Sequence, residues 1–124
     1  MQHIDIAPTI FDAVGVTPNW PIDGVSWLRP GERDRLHLEY FYSLDNTSIR
    51  TWYGTVTKTY EYVEFYQKST TDKTLWFREY YDLDNDPYQL VNLLHDGTKA
   101  DDPPLAPLHR QLTKDRTCVG SACP

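Results

Sequence analysis

Glu61, Glu64 and Glu79, the histidines His3, His37, His95 and His109, the acidic run Asp82-Leu83-Asp84-Asn85-Asp86, and the pair Cys118 and Cys123 are the side chains of this sequence suited to chemistry. Two carboxyls held a few ångströms apart could act as acid and base on a glycosidic bond. Glu61 and Glu64 stand three apart in a strand-like run, so a period of two sends them to opposite faces and they cannot form such a pair. The three glutamates read as surface charge. Alternate aspartates can converge on a hard cation, but an EF-hand loop begun at Asp82 would need Gly at its sixth position and an acid at its twelfth, where Pro87 and Leu93 stand. A turn followed by a helix cap is the expected role. His3 and Asp5 offer two metal ligands without a third. His95 falls in the last turn of an expected helix, where the macrodipole favours a charged imidazole. The chain contains no Gly-x-Ser-x-Gly elbow and no Gly-rich phosphate loop.

The cysteines stand five apart near the C-terminus, with Gly120, Ser121 and Ala122 between them. The spacing suits a six-residue disulfide ring, worth about 2 kcal/mol in the chain-entropy model, and the alternative is two free thiols. An exposed thiol pair is a liability and no metal partners stand nearby, so the disulfide is the expectation, and with it an exported protein. No leader-like charged and apolar region opens the sequence, and no apolar run approaches the ~20 residues that cross a bilayer. An exported chain without such a leader is expected to be a piece of something longer. Asp and Glu number 18 against 12 Lys and Arg, a net charge of −6. That balance excludes the clustered cations of a nucleic-acid binder.

The elements that must position these residues follow from periodicity. In 124 residues a single core is expected. Ile6, Ile10, Ala13 and Val14 recur at helical spacing after Asp5 as N-cap, and Gly15 stops a helix of about two turns. Thr17 to Arg33 carries Pro18, Pro21, Gly24, Pro30 and Gly31 and reads as a long loop anchored by Trp20 and Trp27. Between Tyr40 and Tyr81 lie 13 of the 17 aromatics, and alternation by two predicts four strands. These run through Leu36, Leu38, Tyr40 and Tyr42; through Ile49, Thr51 and Tyr53; from Tyr60 to Tyr66; and from Thr74 to Tyr80. Turns fall at Asp45-Asn46 and Lys68 to Lys73. Asp86 as N-cap, Pro87 and Gln89 predict a second helix with a Leu90, Leu93 and Leu94 stripe that ends at Gly97. Beyond Pro103, Pro104 and Pro107, Leu108 and Leu112 mark a last helix to about Arg116. The expected fold is α+β: a small antiparallel sheet of about four strands with a C-terminal helix on one face, plus a short N-terminal helix. Aromatics on both strand faces leave one face for the core and the other exposed or docked on a larger partner.

Two stretches, His3-Ile4-Asp5-Ile6-Ala7-Pro8-Thr9-Ile10-Phe11-Asp12-Ala13-Val14-Gly15-Val16 with Asp23-Gly24-Val25-Ser26-Trp27, and Tyr80-Tyr81-Asp82-Leu83-Asp84-Asn85-Asp86-Pro87-Tyr88-Gln89-Leu90-Val91-Asn92-Leu93, resemble segments of the sulfatases. The first is similar to the end of their catalytic domain and the second to their C-terminal subdomain. Ile49-Arg50-Thr51 and Lys58 to Val63 resemble strands between them, and the Cys118 to Cys123 ending resembles the tails of N-acetylglucosamine-6-sulfatase-like and bacterial arylsulfatase-like members. The resemblance implies residues 1–33 as the end of the catalytic domain with its connecting loop, and 34–124 as the C-terminal subdomain. It implies a parent enzyme that hydrolyses sulfate esters, of a sulfated sugar or an aryl sulfate, with a formylglycine and a calcium ion, in a secreted or periplasmic setting. Neither cysteine nor any serine here begins the Cys/Ser-x-Pro-x-Arg motif, and the family's calcium ligands lie upstream of residue 1. No catalytic residue is therefore carried over, and the expected partner is the missing catalytic domain.

Sulfate recognition needs cationic donors beside a stacking ring, which singles out Arg50, Trp52 and Lys58 as candidate contacts. The competing reading is a free-standing carbohydrate-binding or interaction module, because Tyr, Trp and Phe on an open sheet face can stack sugar rings.

Overall fold

The computed structural model describes residues 2–29, 31, 33–42, 49–69, 71 and 74–124. The turn expected at Asp45 and Asn46 lies outside the described residues, as does part of the one between Lys68 and Lys73. Aromatic and β-branched residues, favoured on a pleated surface, build four strands: β1 (Arg35–Tyr40), β2 (Trp52–Thr57), β3 (Tyr60–Tyr66) and β4 (Leu75–Asp82). They pair antiparallel in the order of the sequence. The β2–β3 connection is two residues long and is closed by the Thr57 hydroxyl, which accepts the N–H groups of Thr59 and Tyr60 at 3.1 and 2.9 Å. Two α-helices, α1 (Ile6–Ala13) and α2 (Leu105–Asp115), complete the expected α+β architecture. Each helix tolerates a proline at its third position, Pro8 and Pro107, because first-turn N–H groups have no intrahelical partner. α1 ends at Gly15 as expected, with Val16 N–H returning to Phe11 and Gly15 N–H to Asp12.

Directly opposed residues of an antiparallel pair share a face, so the register sorts the side chains. One face carries His37 opposite Thr55, Tyr53 opposite Glu64, Tyr62 opposite Tyr80 and Glu64 opposite Arg78. α2 closes this face: Leu112 is wholly buried in a cluster with Tyr53, Tyr62 and Tyr66. The other face presents Leu38, Trp52, Val56, Val63, Phe65 and Phe77, of which only Val63 is buried. A β-bulge links the two. Phe65 opposes Phe77 and Tyr66 opposes Leu75, so Trp76 is an extra residue in β4. The bulge returns Leu75 to the closed face, where it packs on the tyrosine cluster, and turns Trp76 outward.

Residues 83–98 depart from expectation, because no helix follows Asp86. The Asp86 carboxylate accepts the Val91 N–H at 2.8 Å, and Asp82 accepts those of Asp84 and Asn85 at 3.0 and 3.2 Å. Such side-chain turns compete with helical hydrogen bonds, and Gln89 takes a φ of 57° that no helix allows. The segment instead follows the outer edge of β4. Leu93 N–H donates to Tyr80 O, while Asn92 accepts the Tyr80 N–H at 3.1 Å and donates to Arg78 O at 3.2 Å. The outer strand thereby gains partners for polar groups that an edge leaves open. His95 accordingly has no helix dipole to answer, and its ring stacks on Phe77 at 4.3 Å.

Candidate functional site

The two parts of the N-terminal motif hold each other. Asp5 precedes α1 but makes no side-chain cap there. Its buried carboxylate accepts the Gln2 N–H at 2.8 Å and the Val25 N–H at 2.9 Å, and pairs with the Arg33 guanidinium. The expected cap is thus a crossing point between two segments. Burial alone would raise the Asp5 pKa, but the N–H groups of Val25 and Gln2 and the Arg33 charge outweigh it and hold the carboxyl below its ordinary value. Thr9 extends the contact: its hydroxyl donates to Asp5 O at 2.6 Å and accepts the Trp27 N–H at 3.0 Å. Gly24 permits the crossing, since a Cβ there would stand 2.0 Å from Ile4 O.

This crossing builds one wall of a cleft of about 500 Å³, and β1 and the β2–β3 turn build the other. Trp27, Arg29 and Lys58 are exposed around it, with Ser26 and Arg33 deeper. Arg29 is oriented by a two-bond pairing with Asp12, its Nε 2.7 Å from Oδ2. An exposed indole beside exposed cations has the chemistry to stack a sugar ring and meet its anionic substituents.

Of the three residues singled out from the sequence, only Lys58 lines this cleft. Arg50 lies eight residues earlier, roughly 26 Å away along an extended strand. Its guanidinium stands 3.9 Å from the Trp76 ring centroid and donates to Gln67 at 3.2 Å. Trp52 lies on the open face opposite Phe65. The structure therefore does not bring the trio together. Beside Lys58 the cleft carries Trp27 and Arg29, an indole and a guanidinium of the types sought in Trp52 and Arg50; Trp27 closes the Asp23 to Trp27 motif and Arg29 follows it by two residues.

The glutamates also divide differently from expectation. Glu61 and Glu79 are half-buried on the open face, where burial and the nearby Glu61 push the Glu79 carboxyl above its ordinary value. Glu64 is fully buried rather than at the surface. Its carboxylate accepts the hydroxyls of Tyr62 and Tyr66, each at 2.6 Å, and lies 2.8 Å from His109 Nδ1 and 3.3 Å from Arg78 Nε. Burial would raise its pKa, yet the Tyr62 and Tyr66 hydroxyls and His109 hold it below the ordinary carboxylate range. Burial and the Glu64 charge push both tyrosines well above theirs. This network fastens α2 to the sheet. A second fastening is Arg35, whose guanidinium donates to both Asp115 oxygens at 2.7 and 2.8 Å.

A family model described as N-sulphoglucosamine sulphohydrolase, C-terminal, matches residues 1–117. The chain belongs to this family. It also resembles a solved structure of BT4656 in complex with its substrate D-glucosamine-2-N,6-O-disulfate, with a TM-score of 0.62 and 25% identity. That match covers 88% of this chain and 22% of the other, so the chain spans about a fifth of its relative's length. No curated protein matches it.

The sulfatase-like segments noted in the sequence all fall within the matched residues 1–117, and they do structural work: Asp5, Thr9 and Val25 join the N-terminal segments, and Asp82, Asp86 and Asn92 shape the loop along β4. Cys118 and Cys123 are disulfide-bonded. Among the described residues no group of three or more His, Cys, Asp or Glu side chains is placed to hold a metal ion. Among the described residues no helix is long and apolar enough to cross a membrane.

Proposed function

We propose that this chain serves as the C-terminal unit of a sulfuric ester hydrolase, with a structural and cleft-rimming role and no turnover of its own. The observation that carries this reading is the unfilled apolar surface. The sheet has an open face, and α1 buries none of its residues although Ile6 and Ile10 are 44% and 56% exposed. Apolar surface of that extent marks an interface, and the family match supports an upstream catalytic portion as its occupant. Residues 1–33 then belong to the end of that portion and 34–124 form the attached subdomain.

In this reading the cleft beside Trp27 faces the substrate. The indole stacks a sugar ring and Arg29 and Lys58 meet its sulfates, a chemistry that fits the disulfated glucosamine bound by BT4656. A formylglycine and calcium in the catalytic portion would supply the nucleophile and offset charge on the sulfate. Among the described residues no His, Cys, Asp or Glu cluster suits that calcium, and Cys118 and Cys123 are bonded to each other, so this reading leaves the chemical steps to the catalytic portion. The disulfide supports a secreted or periplasmic setting.

Sulfate release from D-glucosamine-2-N,6-O-disulfate tests the reading. The purified chain is expected to release none, and turnover above a buffer control would overturn it. The exposed Trp27, Arg29 and Lys58 also favour a second reading, a free-standing carbohydrate-binding module. Calorimetric titration with the same sugar separates the two. Saturable micromolar binding that Trp27→Ala abolishes would favour the module, whereas the C-terminal-unit reading expects only weak contact from one wall of a cleft.

A further inference from the structure

We propose that the Cys118–Cys123 loop is a redox-gated clasp: closed, it presents the Gly120 N–H to Asp23 and holds the loop of residues 17–24 against the C-terminal tail; reduced, it lets that loop go.

The loop is mounted rigidly at one end. Cys118 N–H donates to Asp115 O, continuing the last turn of α2, and Asp115 is itself held by Arg35 from β1. The tail then turns back, with Cys123 N–H donating to Gly120 O at 3.0 Å. At the tip the Gly120 N–H donates to Asp23 Oδ1 at 2.6 Å, across 97 residues of sequence. Gly120 sits at a φ of 60°, and a Cβ there would stand 3.7 Å from Pro21, so the tip is seated on the Pro21–Asp23 segment. Both sides line one cleft of about 560 Å³, with Ile22 and Asp23 on one wall and Gly120, Ser121 and Cys123 on the other.

The disulfide matters because of where the loop lies. Beyond α2 the backbone forms only short turns, and each residue ordered for one hydrogen bond loses backbone entropy. The ring removes that freedom before Asp23 arrives. Without it, a single exposed hydrogen bond does not hold the tip in place. Cys118 and Cys123 are both half-buried residues, and the reductant is a small dithiol. The dithiol passes two electrons and two protons to the bond, leaving a thiol on each cysteine, and closes into its own disulfide. Asp5 remains bonded to Val25 N–H and to Arg33, so the released segment stays tethered beyond residue 24.

Backbone 15N relaxation and amide exchange on the whole chain, oxidised and after reduction by a dithiol, test the clasp. In the oxidised chain Ile22–Gly24 and Gly120 are expected to show order parameters near the rigid value of ~0.85. Reduction is expected to bring them below ~0.6, and to speed exchange of the Gly120 amide roughly tenfold, while β3 amides stay unchanged. A Cys118→Ser/Cys123→Ser double variant should reproduce the reduced state. Asp23→Ala, a surface change that leaves the disulfide intact, should loosen Ile22–Gly24 equally, and reducing that variant should add nothing. Unchanged order at Ile22–Gly24 after reduction, further loosening of Asp23→Ala on reduction, or equal loosening of β3 would overturn the proposal.

Discussion

The two faces of the sheet solve opposite problems with the same residue types. Under α2, three tyrosines and Leu112 enclose a glutamate, and each hydroxyl near it finds the carboxylate. On the other side the aromatics Trp52, Phe65 and Phe77 are half-buried and meet no such polar centre. The closed face holds the subdomain together, because a buried charge with several donors fixes the seat of α2 in one register. The open face leaves Leu38 exposed and Trp52, Phe65 and Phe77 half-buried, and it is the face proposed above to dock on the catalytic portion. The contrast teaches that aromatic density alone does not mark a core. What marks it here is cover: Leu112 of α2 lies against Tyr53, Tyr62 and Tyr66, and the hydroxyls of Tyr62 and Tyr66 meet Glu64.

Breaking the closed face should have the largest effect. Glu64→Ala strands Tyr62, Tyr66, Arg78 and His109 around a void, and is expected to destabilise the chain by about 3–5 kcal/mol in urea unfolding. Glu64→Gln keeps the volume and an acceptor and should lose less. Next comes Leu112→Ala, which empties the middle of the tyrosine cluster and should cost about 2–4 kcal/mol in the same measurement.

Acid sharpens the comparison further. Glu64, Asp5 and Asp115 all have folded-state pKa values below their ordinary ones. A depressed carboxyl contributes stability that is present above its unfolded pKa, about 4, and is lost as pH falls through the folded value. Unfolding free energy should therefore decline below about pH 4, and the decline should be shallower in Glu64→Gln. The smallest effect belongs to the open face. Leu38→Ser should change stability by under about 0.5 kcal/mol, while reducing binding of a hydrophobic dye by the isolated chain.

Alternation by two reports directly on a pleated surface and places Tyr60 to Tyr66 at the bounds of β3, whereas the second strand, expected through Ile49, Thr51 and Tyr53, runs instead from Trp52 to Thr57. The helix after Asp86 was misread because Asp, Pro and Gln in that order are common to helix starts and to side-chain-closed turns. Only the edge of β4, which recruits Asn92 and Leu93, decides between them. Glu64 looked like surface charge because its partners His109 and Arg78 lie 45 and 14 residues away, beyond any local pattern. For the same reason local pattern singles out Lys58 but not the Trp27 and Arg29 that share its cleft: the cleft exists only once Asp5 has drawn Val25 across Gly24.

Hydroxyl-radical footprinting tests the division of labour between the faces most directly, with the chain alone compared against the same chain joined to a sulfatase catalytic portion. Trp52, Leu38 and Ile10 should be reactive in the chain alone and protected in the joined protein, with Tyr62 and Leu112 protected in both. Equal reactivity of Trp52, Leu38 and Ile10 in the two states would contradict the assignment of the open face to a partner.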